Sequence, residues 1–100
     1  MTLEVEIVRI PVNAARVLEL IQALKGARTG YLAAPACQAV SLLVTQASDE
    51  IAVILTWSSA QAHAEAVKTE QAASFFKAVS TLSSARPEVR AYLPAGVEGA

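Results

Sequence analysis

The chain has 100 residues, 54% of them hydrophobic and 17% charged, and its formal net charge is −1. This length predicts one domain over residues 1–100, with a core at about 3–94 and a flexible tail at 95–100. The charges are interspersed and the five aromatic residues are scattered, so the composition excludes nucleic acid as an expected partner.

The sequence also limits the compartment in which the protein is expected. Apolar runs are too short to cross a bilayer, and the start Met1-Thr2-Leu3-Glu4 does not have a basic region followed by an apolar stretch. A single cysteine, Cys37, excludes an internal disulfide and fits a reducing environment. We therefore expect a cytoplasmic protein without a membrane partner.

The first half of the chain predicts one helix between strands. Residues 3–10 alternate with period two, which predicts a strand whose polar half comes early. Asn13 is a candidate N-cap for the amphipathic helix that follows. Residues 31–35 are a predicted loop, 36–46 a second strand and 51–56 a third strand. A short polar turn separates the last two strands, so they are expected to form a hairpin.

The second half predicts two helical segments and a last strand. Ser58 and Gln61 have the spacing of a capping box, so a helix is predicted at about 59–68. Another helical segment begins near Thr69, and residues 88–93 form the final strand. The order βαββαβ predicts an α+β protein with a ferredoxin-like fold, in which helices cover one face of a four-stranded antiparallel sheet.

The excess of apolar residues predicts a homodimer. Helices on one side of the sheet leave its other face to water, and residues 40–44 and 51–55 are largely apolar on both faces. Two such sheets can bury their open faces against each other. A charge introduced at Val44 or Val53 is then expected to disrupt either the dimer or the fold, according to the face that each residue occupies.

One stretch resembles a known family. The third predicted strand ends in Trp57, and Trp57 to Ala62 follows the pattern Trp-x-Ser-x-x-Ala at the start of a helix. Together with Ile10-Pro11-Val12, Gly30-Tyr31-Leu32 and Pro87 to Tyr92, in this order, it resembles the antibiotic-biosynthesis monooxygenase family. The resemblance covers about residues 3–94. It implies a dimeric α/β barrel and a cofactor-independent monooxygenase that acts on a small phenol, quinol or polyketide-like substrate.

The resemblance has one clear departure. Many members of the family carry a histidine nine residues after the tryptophan, and a helical histidine binds iron in the haem-degrading branch. Ala66 stands at that position here, and His63 lies three residues earlier. That branch also has an asparagine in the first strand, where this chain has Glu6 and Val8. Haem degradation is therefore disfavoured.

The candidate site residues lie around the tryptophan. His63, the only histidine, is the candidate catalytic base. The resemblance implies that Trp57 and Phe76 wall a substrate pocket and that Tyr31, at a loop lip, or an arginine holds a substrate oxygen. One of Phe75 and Phe76 is expected to face the sheet, either Phe76 or both in part. The ordinary alternatives are a surface histidine, a surface tyrosine and aromatic rings that only fill the core.

Metal and cofactor sites are not expected. One histidine, one cysteine and scattered carboxylates provide no ligand spacing, and the chain has no glycine-rich phosphate loop. This scarcity of polar groups keeps a second function open: a non-catalytic dimeric α/β-barrel module that binds a small ligand or serves as an accessory protein. An isomerase or cyclase with the same pocket is a third possibility.

Overall fold

A four-stranded antiparallel sheet forms the frame of the computed structural model, which describes residues 2–95. The strands are β1 (Glu4–Pro11), β2 (Cys37–Val44), β3 (Glu50–Trp57) and β4 (Glu88–Tyr92), in the spatial order β2-β3-β1-β4. Most of the predicted tail at 95–100 lies outside the described residues.

Three helices connect the strands. They are α1 (Val17–Gly26), α2 (Ala60–Ala66) and α3 (Glu70–Leu82), and short 3-10 turns lie on either side of α1. Asn13 precedes the first of these turns, but its side chain makes no capping hydrogen bond within the described chain. The predicted α+β, ferredoxin-like fold is confirmed. Among the helices of residues 2–95, none is both long and apolar enough to span a membrane.

Period-two alternation determines which strand residues face the helices. In β3, Ile51, Val53, Leu55 and Trp57 are at most 2% exposed and belong to the hydrophobic core. Their partners on β1, in antiparallel register, are Ile10, Val8, Glu6 and Glu4 respectively. The helix-facing row of β1 therefore begins with two carboxylates and ends with two apolar side chains.

The other sheet face is formed by the alternate residues. Ile7 on β1 pairs with Ile54 on β3, and both are partly buried. Toward the edge, Arg9 lies 3.3 Å from Glu50 and 3.9 Å from Glu88. This face thus has an apolar centre beside an ion-pair network.

The register also identifies the faces of the two valines selected for charge substitution. Val53 is 1% exposed and packs in the core. Val44 pairs with the buried Ile51 and therefore faces the helices as well, although it is 43% exposed because β2 is an edge strand. Neither residue lies on the helix-free face. A charge at Val53 is therefore expected to disrupt the fold rather than an interface.

Candidate functional site

The corner between β3 and α2 positions the candidate histidine. Ser59, in extended conformation, is the N-cap of α2, and its Oγ accepts a hydrogen bond from the Ala62 backbone amide at 3.0 Å. The prediction of a cap at Ser58 is wrong by one residue. The Ser58 amide instead donates to the Ala36 carbonyl at 2.8 Å, which keeps that residue beside the sheet.

His63 lies one turn into α2 and packs on the tryptophan. Its ring and that of Trp57 are nearly parallel, with centroids 4.4 Å apart and an interplanar angle of 9°. The side chain of His63 is 17% exposed. The structure therefore brings together the two residues that the sequence singled out.

Two carboxylates complete what we call the acid–imidazole cluster: Glu4, Glu6, Trp57 and His63. The Nδ1 atom of His63 is hydrogen-bonded to Glu4 Oε1, and its Nε2 lies 3.6 Å from Glu6 Oε2. The indole Nε1–H of Trp57 donates to Glu6 Oε1 at 3.2 Å. The carboxylates thus hold both the imidazole and the indole in orientation, as the partners of catalytic histidines commonly do.

Neither carboxylate was among the predicted site residues. The period-two pattern predicts the strand, and the glutamates are its polar half. The signal was present, because Glu4 and Glu6 have the same parity as Val8 and Ile10, and a residue with that parity faces the helices. Acidic residues in register with a buried row indicate a polar site at the end of the core.

Tyr31 is buried against the same corner. It is 6% exposed, and its ring centroid lies 5.5 Å from Trp57, 5.3 Å from Phe75 and 5.2 Å from Phe76. The expectation of a surface tyrosine is therefore wrong, although Tyr31 lies in a turn and borders two clefts together with Gly30. Burial, and next the negative charge of Glu6, raise the pKa of Tyr31. The Tyr31 hydroxyl does not form a hydrogen bond with another residue of the described range 2–95. It is therefore a neutral donor that is available to a ligand.

The two phenylalanines of α3 differ in burial. Phe75 is partly buried against the core, whereas Phe76 is 46% exposed. The expectation of Phe76 as the sheet-facing ring is therefore wrong. Its exposed side borders a cleft of about 480 Å³ between α3 and β4, whose lining residues are Phe76, Val79, Ser80, Arg86, Pro87 and Val89.

The residues that line this cleft do not include a member of the acid–imidazole cluster, but the sheet register relates the two. On β4, Val89 pairs with Val8 and Ala91 pairs with Glu6. Residues two apart on a strand face the same side and lie about 7 Å apart. The cleft wall at Val89 is therefore one such step from the strand position of Glu6. A volume of this size is within the range of small-molecule sites, which are mostly apolar with a few convergent polar groups.

Other chemistry-bearing residues lie away from this corner. Arg9 and Arg90 are on the helix-free face, so neither reaches the cluster. Arg28 donates to the carbonyls of Leu32 at 2.6 Å and Cys37 at 3.0 Å. Cys37 itself is fully buried, and this burial raises the pKa of its thiol, which disfavours a nucleophilic role.

The acid–imidazole cluster does not have the geometry of a metal centre. Its two carboxylates contact opposite nitrogens of one imidazole, so the three side chains do not converge on a point. In the described part of the chain, groups of three or more potential ligands able to hold a metal are absent. The arrangement is instead suited to holding and transferring a proton.

Comparison with solved structures identifies the class of fold. The monooxygenase of the ActVA-Orf6 gene of Streptomyces coelicolor, solved with nanaomycin D, aligns with a TM-score of 0.83 at 20% identity, over 96% of this chain and 90% of that one. Rv0793 from Mycobacterium tuberculosis aligns with a TM-score of 0.81 at 16% identity, over 97% and 99%. No protein-family model and no curated protein matches the sequence.

A third structure carries the family name. A Bordetella bronchiseptica protein, provisionally named an antibiotic biosynthesis monooxygenase, aligns with a TM-score of 0.79 at 19% identity, over 92% of this chain and 96% of that one. The chain therefore has the fold of the antibiotic-biosynthesis monooxygenase structures. The resemblance found in the sequence is confirmed at the level of the fold.

Proposed function

We propose that this protein is a cofactor-independent monooxygenase that acts on a small phenol, quinol or polyketide-like aromatic. The observation that carries the proposal is His63, which stacks on Trp57 while Glu4 holds one of its ring nitrogens. A histidine oriented by a carboxylate beside an aromatic wall is the arrangement of a general base. The similarity to a monooxygenase solved with nanaomycin D supports the same proposal.

The chemistry needs a substrate that itself donates electrons. His63 accepts the acidic proton of the substrate, and the resulting anion transfers an electron to dioxygen. Recombination of the radical pair forms a peroxide anion at a carbon that bears hydrogen, and protonated His63 returns the proton to give a hydroperoxide. Loss of water then leaves a carbonyl, so that one oxygen atom enters the product and the other leaves as water. Trp57 and Phe76 supply apolar walls, and the Tyr31 hydroxyl donates to the substrate oxygen.

One observation favours a second function, that of a non-catalytic ligand-binding module or accessory protein. Glu4 and Glu6 each face a different nitrogen of His63, so the cluster also satisfies its own polar groups. A self-contained buried network of this kind stabilises a core without catalysing a reaction.

The proposal includes the assembly and location of the protein. Residues 1–100 form one domain that functions as a cytoplasmic homodimer, with the helix-free sheet faces packed together. The support is the apolar pair Ile7 and Ile54 at the centre of that face. A mostly apolar interface of about 1,600 Å² is the usual size for a stable complex.

Oxygen uptake with anthrone tests the activity, because oxidation of its methylene carbon to a carbonyl follows the proposed steps. His63→Ala is expected to lower the rate about 10²-fold, since it removes the general base. Gln61→Ala, an exposed residue on the same helix, should leave the rate unchanged and is the matched control. Circular dichroism verifies folding of both variants.

Trp57 fluorescence separates the two functions. Trp57 is the only tryptophan, so quenching by anthrone reports binding near the cluster. Quenching without oxygen uptake by the unmodified protein would favour the binding module. A fully active His63→Ala variant would refute the role of His63 as the base.

A further inference from the structure

The acid–imidazole cluster encloses its own histidine. The Nδ1 atom of His63 is hydrogen-bonded to Glu4 and its Nε2 faces Glu6 at 3.6 Å, while one face of the ring lies on Trp57. The Glu4 and Glu6 side chains are 13% and 11% exposed, and Trp57 is fully buried. Both ring nitrogens thus face carboxylate oxygens. A substrate proton reaches either nitrogen only after the cluster opens.

The element that covers the cluster is α2, which carries His63. None of the seven residues of α2 is buried, and all seven are described, whereas three residues of α1 and two of α3 are buried. Ala66 packs against the core, but a single methyl group buries little apolar surface. The attachment of α2 to the sheet therefore depends mainly on His63. Little apolar burial is typical of elements that open locally while the rest of a fold stays intact.

Both ends of α2 are fixed to the rest of the fold, as the ends of a hinged segment are. At its start, the Ser58 amide donates to the Ala36 carbonyl at 2.8 Å. At its end, the Thr69 hydroxyl donates to the Ala66 carbonyl and accepts from the Ala72 amide of α3. Hinges commonly lie at the ends of elements. The helix between these anchors can therefore move while the sheet and α3 stay folded.

We propose that α2 is a lid, that the contacts of His63 with Glu4 and Glu6 are its latch, and that its opening uncovers Trp57 and frees the ring nitrogens. The purpose of this motion rests on the proposed function, since a general base must come within hydrogen-bond reach of its substrate. The closed lid seals the cluster, and opening admits the ligand. When such a lid closes again over a bound substrate, it excludes water from the reaction.

Hydrogen exchange, followed by NMR at increasing urea concentrations, tests the lid. The His63 and Val67 amides donate hydrogen bonds along α2, and the Trp57 indole N–H donates to Glu6. We expect these three protons to exchange through one local opening, with equal free energies and little dependence on urea. The amide of Leu24, which is 1% exposed in α1, should exchange at least about tenfold more slowly and only through global unfolding.

The indole N–H is the decisive proton, because fraying of a short helix would free the α2 amides and leave the indole covered. Glu4→Gln weakens the latch, since a hydrogen bond to a neutral amide is about half as strong as one to a carboxylate. The indole N–H should then exchange several-fold faster. Glu65→Gln is the matched control: it makes the same change on the exposed side of α2, where Glu65 pairs with Lys68 at 3.4 Å, and should leave the indole rate unchanged.

An indole N–H that exchanges only together with the Leu24 amide would overturn the lid. Indole exchange that is equally fast in Glu4→Gln and in the Glu65→Gln control would overturn the latch. If Glu4→Gln does not fold, the comparison of the indole with the α2 amides in the unmodified protein remains the test. Oxygen uptake does not enter these measurements. A lid without activity would refute the monooxygenase alone, and an active enzyme whose indole stays covered would refute the lid alone.

Discussion

The imidazole of His63 lies parallel to the indole of Trp57, with ring centroids 4.4 Å apart and planes 9° apart. This relationship joins the last residue of β3 to the first turns of α2. It depends on where α2 begins, because a helix that started one residue earlier would rotate His63 by about 100° around the helix axis. The cap of this helix is therefore a determinant of the site geometry as well as of stability.

Ser59→Ala is expected to destabilise the protein by about 1 kcal/mol, because the Ala62 amide loses its capping hydrogen bond. Urea denaturation measures the change. Ser58→Ala is the control, since the contact of Ser58 that fixes the corner is made by its backbone amide. Equal destabilisation by the two substitutions would contradict the assignment of Ser59 as the cap. Ligand quenching of Trp57 should also weaken in Ser59→Ala, because His63 is then held less firmly.

Ile54→Asp is expected to convert the proposed homodimer to a folded monomer. Ile54 lies at the centre of the helix-free face, where a buried carboxylate in a dimer would have no partner. Val53→Asp is the contrasting variant, because Val53 is 1% exposed and faces the helices, so that it should unfold the chain. Analytical ultracentrifugation and circular dichroism distinguish these outcomes. A stable monomer of the unmodified protein at micromolar concentration would rule out the dimer.

The type and order of the elements could be predicted because periodicity is local. The residues at which helices and strands begin and end depend on side-chain contacts, which the hydrophobic pattern does not show. The helix predicted at 59–68 ends at Ala66, since Thr69 Oγ1 donates to the Ala66 carbonyl at 2.8 Å and accepts from the Ala72 amide at 3.2 Å. One threonine thus ends α2 and begins α3.

The site was predicted in part for the same reason. Trp57 and His63 are six residues apart, so their proximity follows from a single corner. Tyr31 lies in a loop whose position depends on tertiary contacts. Arg28 donates hydrogen bonds to the Leu32 and Cys37 carbonyls of this loop. Glu6 joins from a strand 51 residues earlier than Trp57. The parity of Glu6 indicates that it faces the helices, but its proximity to Trp57 follows only from the pairing of β1 with β3.

The buried phenol of Tyr31 is expected to make stability fall at alkaline pH. Burial and the nearby charge of Glu6 raise its pKa above the ordinary value of 10.0. As the pH rises past that value, the tyrosine ionises in the unfolded chain but keeps its proton in the folded one. The unfolded state then binds fewer protons, so the free energy of unfolding decreases by up to about 1.4 kcal/mol per pH unit for this one group. Below that value the contribution is fully present.

Tyr31→Phe isolates this effect, because phenylalanine keeps the ring that packs on Trp57, Phe75 and Phe76 but cannot ionise. Urea denaturation of both proteins between about pH 8 and about pH 11 measures the difference, while other alkaline titrations are common to the pair and cancel. The gap between the two stability curves should begin near the ordinary tyrosine pKa and widen above it. Tyr92→Phe, at a position 46% exposed, is the control and should retain the alkaline loss caused by Tyr31. Parallel curves for Tyr31→Phe and the unmodified protein would mean that the pKa of Tyr31 is not raised in the folded protein, which would contradict this prediction.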